Sequence, residues 1–263
     1  MLHTFVAYTR KPHIPRSVQD MPSKLSTPIN KRSTSIAIIA VLAALHIVLS
    51  VFPGPVGFRR LSIILEPLEG IIGGPALGFG AAMIGWIGGR ALRPDGFYIE
   101  NFFGFAEALG ALGAGLLISK RWWAVAVIYG AILTAFLVHP FATQVPLWTL
   151  WDTYLGFLAI FPAAIVIKRT DLKRPSAKTI LPAVALITFI AVELDAMTRI
   201  FMLADLGLYQ LYGLPAGAWS AIFIAGALQT PIEAAYSALV SSIVGVPVLI
   251  ALRAARILDW PLS

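Results

Sequence analysis

The 263-residue chain is 58% hydrophobic and 13% charged, with a mean hydropathy of +0.82, so it has too little polar surface to cover a soluble domain. The composition places it in a bilayer. Cysteine is absent, which excludes disulfides and thiolate metal sites. The formal net charge of +7 invites a nucleic-acid reading, which the placement of the charges answers below.

Residues 1–34 are polar, rich in Pro, Ser and Thr, and basic through Arg10, Lys11, Arg16, Lys24, Lys31 and Arg32. They read as a disordered cytoplasmic tail. A signal peptide is the rival, because an apolar run follows from residue 35 to 52; the long leader and the lack of a small-residue cleavage site favour a first membrane span instead. Further spans are expected at 61–73, 75–92, 102–118, 122–139, 147–167 and 179–203. Gly73, Gly74 and Pro75 separate the short second and third spans by a tight turn. The last apolar stretch, residues 218–252, would extend about 50 Å as one helix, well beyond a bilayer core of about 30 Å. A break is therefore expected at Thr230, Pro231 and Glu233, which have capping-box spacing. A half-length segment at 218–228 then precedes a final span at 231–252. The predicted fold is all-α: a polytopic transmembrane helical bundle of about eight spans, formed by residues 35–258, with both termini cytoplasmic.

Fifteen of the 20 Lys and Arg fall on the predicted cytoplasmic side: six in the tail, Lys120 and Arg121, five from Lys168 to Lys178, and Arg253 and Arg256. The basic balance is thus topology, with attraction to anionic lipid and no support for nucleic-acid binding. Of the 13 Asp and Glu, only Asp20, Asp171 and Asp259 share that side. His46, Glu66, Glu69, Arg90, Glu107, Asp152, Asp195 and Arg199 fall in the outer halves of their spans. Glu193 and Glu233 sit nearer the middle, and Arg59 and Arg60 lie in the first external connection. Charges are costly inside a bilayer, so this outward set points to a polar cavity that binds a solute.

Simpler roles compete at several positions. Asp195 and Arg199, four apart on one helix, can neutralise each other, and Glu233 can cap its helix. Glu66 and Glu69 can pair with Arg90 or Arg59, or share a cation, a ligand or a proton. His46 fits a hydrogen-bonded packing residue, and Trp148, Trp151 and Trp219 fit an interfacial aromatic belt. No GxxxxGK[ST], HExxH or GxSxG pattern occurs, so no enzymatic activity, catalytic residue, metal site or cofactor is expected. An intramembrane hydrolase built on Glu66 and Glu69 would lack a His or metal partner.

The first span carries Ala40 and Ala44 at small-xxx-small spacing, and Gly74, Pro75 and Gly78 form a G-P-x-x-G turn; the Arg93-Pro94-Asp95-Gly96 loop follows, then Gly110, Gly113 and Gly115 in the fourth span. This order of features resembles the S component, the substrate-binding membrane subunit, of energy-coupling factor (ECF) vitamin transporters. The likeness is strongest over residues 35–140 and returns over 229–253. Family members usually have six spans, so residues 147–203 look like an inserted helical hairpin. The resemblance implies capture of a vitamin-like solute from outside at a multi-pass cell-membrane subunit. Arg59, Arg60, Glu66, Glu69, Arg90, Glu107, Asp152, Asp195 and Arg199 are the candidate binding residues. It further implies a transmembrane coupling subunit, which would pack on Ala40, Ala44, Gly78 and Ala82, and two ABC-type ATPases that power inward release by toppling. The alternative is a stand-alone secondary transporter with proton or sodium sites at Glu66, Glu69 or Glu107 and broken helices at 73–75 and 229–231.

Overall fold

The computed structural model describes residues 31–56, 59–93, 98–172 and 176–254. Residues 1–30 of the predicted tail, and Asp95 in the third connection, lie outside them. Among the described residues the chain is all-α, with one isolated bridge between Pro53 and Arg60. The helices are α1 (Lys31–Val51), α2 (Glu66–Leu92), α3 (Tyr98–Ile118), α4 (Trp122–Val138), α5 (Trp151–Arg169), α6 (Ala177–Ala204), α7 (Ala216–Val240) and α8 (Val246–Ala254). Five helical stretches are long and apolar enough to cross a membrane, and α3 and α4 supply shorter apolar ones. This is a membrane protein. The first helix starts at Lys31, so residues 31–34 belong to α1 and not to the tail.

α2 is two arms joined at Gly74, whose φ of 73° and ψ of −174° suit glycine and interrupt the helix. Pro75 then opens the second arm, where its missing N–H costs no hydrogen bond. In a straight helix Gly70 and Gly78 would stand about 12 Å apart. Here a Cβ on Gly78 would lie 2.6 Å from the Gly70 Cα and 2.7 Å from the Glu69 carbonyl oxygen, so the chain doubles back. Both arms run alongside α3: Gly110 faces Glu66, Gly115 faces Gly74 and Pro75, and Gly104 faces Trp86. The tight turn expected at 73–75 is therefore present among the described residues. Lys31 and Ala254 lie at the same end, together with the turns carrying Lys120, Arg121, Lys168 and Arg169.

The break expected at Pro231 is absent. α7 runs through it without interruption, and a π-helical turn at Ser241–Gly245 joins α7 to α8. Pro231 removes the hydrogen bond that the Ala227 carbonyl would accept, but the indole Nε1 of Trp151 donates to that oxygen at 3.0 Å. The freed carbonyl is satisfied sideways, so the helix has no reason to end. Residues 218–228 are accordingly the first turns of a continuous helix, and Glu233 caps nothing.

α6 is the most enclosed of the long apolar helices, with 72% of its apolar window buried, against 17% for α1 and 28% for the α7–α8 stretch. It packs on α2, α3, α4, α5, α7 and α8. Within the stretch expected as an inserted hairpin, residues 147–203, α5 and α6 pack on each other, and α6 is the centre of the bundle. Gly78 and Ala82 are buried as well, Gly78 against the first arm and Ala82 with Ala108 and Ala111. Ala40 and Ala44 are exposed on α1, so the four small residues do not share one outer face.

Candidate functional site

The polar residues of the interior form one connected chain of contacts. Its first link is the α2 hairpin, which carries Glu69 to α1. His46 Nδ1 lies 3.0 Å from Glu69 Oε1, and His46 Nε2 lies 3.0 Å from Glu107 Oε2 on α3. Gly85 makes room for this ring, because a Cβ there would run into the imidazole. Both ring nitrogens face carboxylate oxygens, an arrangement that an imidazolium with two N–H donors satisfies. Ser62 Oγ donates to Glu107 Oε2 at 2.8 Å, and Arg199 donates from its terminal nitrogen to Glu107 Oε1 at 3.1 Å.

Arg199 also donates from Nε to Asp195 Oδ1 at 2.9 Å, one helical turn away. The other oxygen of Asp195 lies 3.2 Å from a terminal nitrogen of Arg59. Arg59 continues to α7, with Nε 3.4 Å from Glu233 Oε2 and its backbone N–H donating to Glu233 Oε1 at 3.2 Å. A small hairpin aims it there: the Gly54 N–H donates to the Arg59 carbonyl at 2.8 Å and the Leu61 N–H to the Phe52 carbonyl at 3.1 Å. Seven ionisable side chains from α1, α2, α3, α6, α7 and the 52–61 connection are tied together, and all but Arg199 are buried. Each ionisable group of the set has a partner of opposite sign, which offsets the cost of carrying such groups inside a bilayer.

Above this network lies a partly open cavity of about 430 Å³, at the end of the bundle opposite the basic turns. Arg59, Arg60, Arg90, Glu107, Asp152 and Arg199 supply its charged wall. Phe103, Tyr212, Trp219 and Phe223, with leucine and isoleucine neighbours, supply its apolar lining. Asp152 sits in the first turn of α5, buried, where it accepts from the Thr153 N–H at 2.9 Å. The sequence-derived set therefore divides. Six of its nine residues line the cavity, Asp195 and Glu69 hold the network beneath it, and Glu66 stands apart.

Glu66 is fully buried, and its carboxylate has no hydrogen-bond partner among the described residues. It occupies space left by Gly110, near the Ala191 carbonyl. Glu193 is likewise buried without a partner, packed on Gly156 beside the Tyr129 hydroxyl.

Three residues have larger roles than their spacing suggests. His46 is the bridge between two carboxylates and not only a packing residue. Glu233 binds Arg59 instead of capping a helix. Trp219 is 3% exposed and lines the cavity, whereas Trp148, 61% exposed, keeps the position of a belt residue. A histidine alone on an apolar span gives no sequence signal for partners on two other helices. The pairing exists only once α2 has folded back.

No family model, curated protein or solved structure matches this chain.

Proposed function

We propose that this chain is the solute-binding membrane subunit of an ECF-type ABC importer, capturing a vitamin-like small molecule at the outer face of the cell membrane. The observation that carries the reading is the cavity of about 430 Å³, lined by both charged and aromatic side chains. Small-molecule sites typically enclose roughly 300–1,000 Å³ and combine apolar walls with a few placed polar groups. Positive charge collects at the opposite end of the bundle, which makes that end cytoplasmic and turns the cavity outward. Uptake would then be driven by a transmembrane coupling subunit and two ABC-type ATPases. Ala40 and Ala44 on exposed α1 remain the small-residue surface for such a partner; Gly78 and Ala82 no longer belong to it.

The test is gentle affinity purification of the full chain from its native membrane, followed by uptake in reconstituted vesicles. A coupling subunit and ATPases should accompany the chain, and uptake should require ATP.

A second reading, the stand-alone proton- or sodium-coupled transporter, is favoured by one observation. Glu66 and Glu193 are buried carboxylates without hydrogen-bond partners among the described residues, the kind of group that takes up a proton or an ion within a membrane. Vesicles containing this chain alone decide the matter. Solute accumulation on an imposed proton or sodium gradient would establish the second reading and remove the first.

A further inference from the structure

Glu193 lies inside α6 with no exposure, and neither of its carboxyl oxygens has a hydrogen-bond partner among the described residues. It packs where α5 lacks a side chain: a Cβ at Gly156 would lie 2.9 Å from both the Glu193 Cγ and the Tyr129 hydroxyl oxygen. The Tyr129 hydroxyl donates its hydrogen to the Thr153 carbonyl at 2.8 Å, so toward Glu193 it has only a lone pair to offer. A lone pair suits the O–H of a carboxylic acid and repels a carboxylate oxygen.

The charged company of Glu193 points the same way. Asp152 acts on it from α5, Glu233 from α7, Asp195 from its own helix and Arg59 from the 52–61 connection, with the Tyr129 phenol on α4 beside it. Arg59 is already shared between Asp195 and Glu233. An ionised Glu193 would add a further carboxylate to that set with no hydrogen bond to hold it, whereas a neutral acid adds none. A metal ion would need several oxygen ligands, and among the described residues no three Asp, Glu or His are grouped to hold one. The route outward is short. Asp152 and Thr153 line the cavity, and Gly156, against which Glu193 packs, follows Asp152 by one turn of α5, about 6 Å along the helix.

We propose that Glu193 is a proton-binding site that exchanges with the cavity through Asp152. The proton leaves a Glu193 oxygen, the electron pair of that O–H bond stays behind, and an Asp152 oxygen takes the proton up. Negative charge moves from Asp152 to Glu193, and the total charge of the pair is unchanged. Exchange with water is completed at Asp152 in the cavity. This names the ion, the carboxyl and the route for the stand-alone transporter reading, and rests on that reading only for the use made of the proton.

The experiment is infrared difference spectroscopy on the full chain in an ester-free detergent, because lipid esters absorb where carboxylic acids do. Subtracting the Glu193→Gln spectrum from the parent's at pH 7, where an ordinary carboxyl is ionised, should leave the C=O stretch of a protonated acid. Glu66→Gln should not remove that band. On transfer to D2O the band should shift as O–H becomes O–D, and Asp152→Asn should slow this shift tenfold or more. Asp152→Glu, which keeps a carboxyl, should slow it less than threefold and guards against a folding defect. The absence of an acid band from Glu193 overturns the proposal, as does its loss when sodium chloride replaces choline chloride, or an exchange rate that Asp152→Asn leaves unchanged. Vesicle uptake is scored separately: an acid band without accumulation on a proton gradient removes the transporter reading and leaves the proton site standing.

Discussion

The Arg59 region and the Glu66 region lie in the same enclosed bundle and solve the burial of charge in opposite ways. Around Arg59 every ion has an opposite partner within 3.4 Å, contributed by a different helix or by a neighbouring turn. Around Glu66 the space comes from a missing side chain at Gly110, and no partner is present among the described residues. The first arrangement ties helices together and fixes the floor of the cavity. The second ties nothing. Removing a charge should therefore be severe in one region and nearly silent in the other.

Arg59→Gln should have the largest effect. It strands Glu233 and leaves Asp195 with Arg199 alone, and removing one member of a buried ion pair typically costs about 3–5 kcal/mol. Thermal unfolding in detergent should show the full loss, and the variant should accumulate poorly in membranes. A stability close to the parent's would show that Arg59 lies in solvent and not in the network.

His46→Gln should come next, near the lower end of that range at about 3 kcal/mol. Glu107 keeps Arg199 and Ser62, so the stranded group is Glu69 alone. The double variant His46→Gln with Glu69→Gln should recover much of the loss, because it removes the orphaned charge along with its partner. A double-mutant cycle measures this coupling, and purely additive losses would contradict the contact.

Gly78→Ala is smaller again, at about 1–3 kcal/mol for overpacking. The added methyl group would press on the Gly70 Cα and the Glu69 carbonyl, loosening the hairpin that presents Glu69 to His46. The loss should shrink when the same substitution is made in the His46→Gln background, since the two changes damage one contact. Thermal unfolding of the three variants reads it directly.

These cases also show what the sequence can and cannot convey. The Gly74-Pro75 reversal is legible because a residue with positive φ followed by proline has few other uses. Asp195 and Arg199 are legible because one helical turn separates them. Nothing local connects His46 to Glu69 and Glu107, which meet only after three elements pack. The Pro231 expectation failed for a related reason: a proline breaks a helix only if the carbonyl it frees stays unsatisfied, and Trp151 supplies the donor from 76 residues or more away in sequence. The small residues are ambiguous in the same way, because spacing alone does not distinguish a glycine reserved for a partner from one spent on the protein's own hairpin, as Gly78 is. Trp219 and Phe223 line the cavity through ring contacts with Phe136 and Phe141, which no periodicity announces.

The smallest expected effect is the most discriminating. Glu66 and Glu69 lie three residues apart on the same short arm, both fully buried, and differ mainly in that Glu69 has His46. Glu69→Gln should therefore destabilise the protein by about 1–3 kcal/mol, the usual loss when a charged hydrogen bond is weakened and its partner left behind. Glu66→Gln should cost less than Glu69→Gln, because an amide of the same shape replaces a group that holds no hydrogen-bond partner among the described residues. The same comparison extends to Glu193→Gln. Equal losses at positions 66 and 69 would mean that Glu66 has a partner of its own in the membrane, such as a bound ion, and would move the balance toward an ion-coupled transporter. A silent Glu66→Gln that also leaves solute binding intact would place the work of the site on the Arg59 side of the bundle.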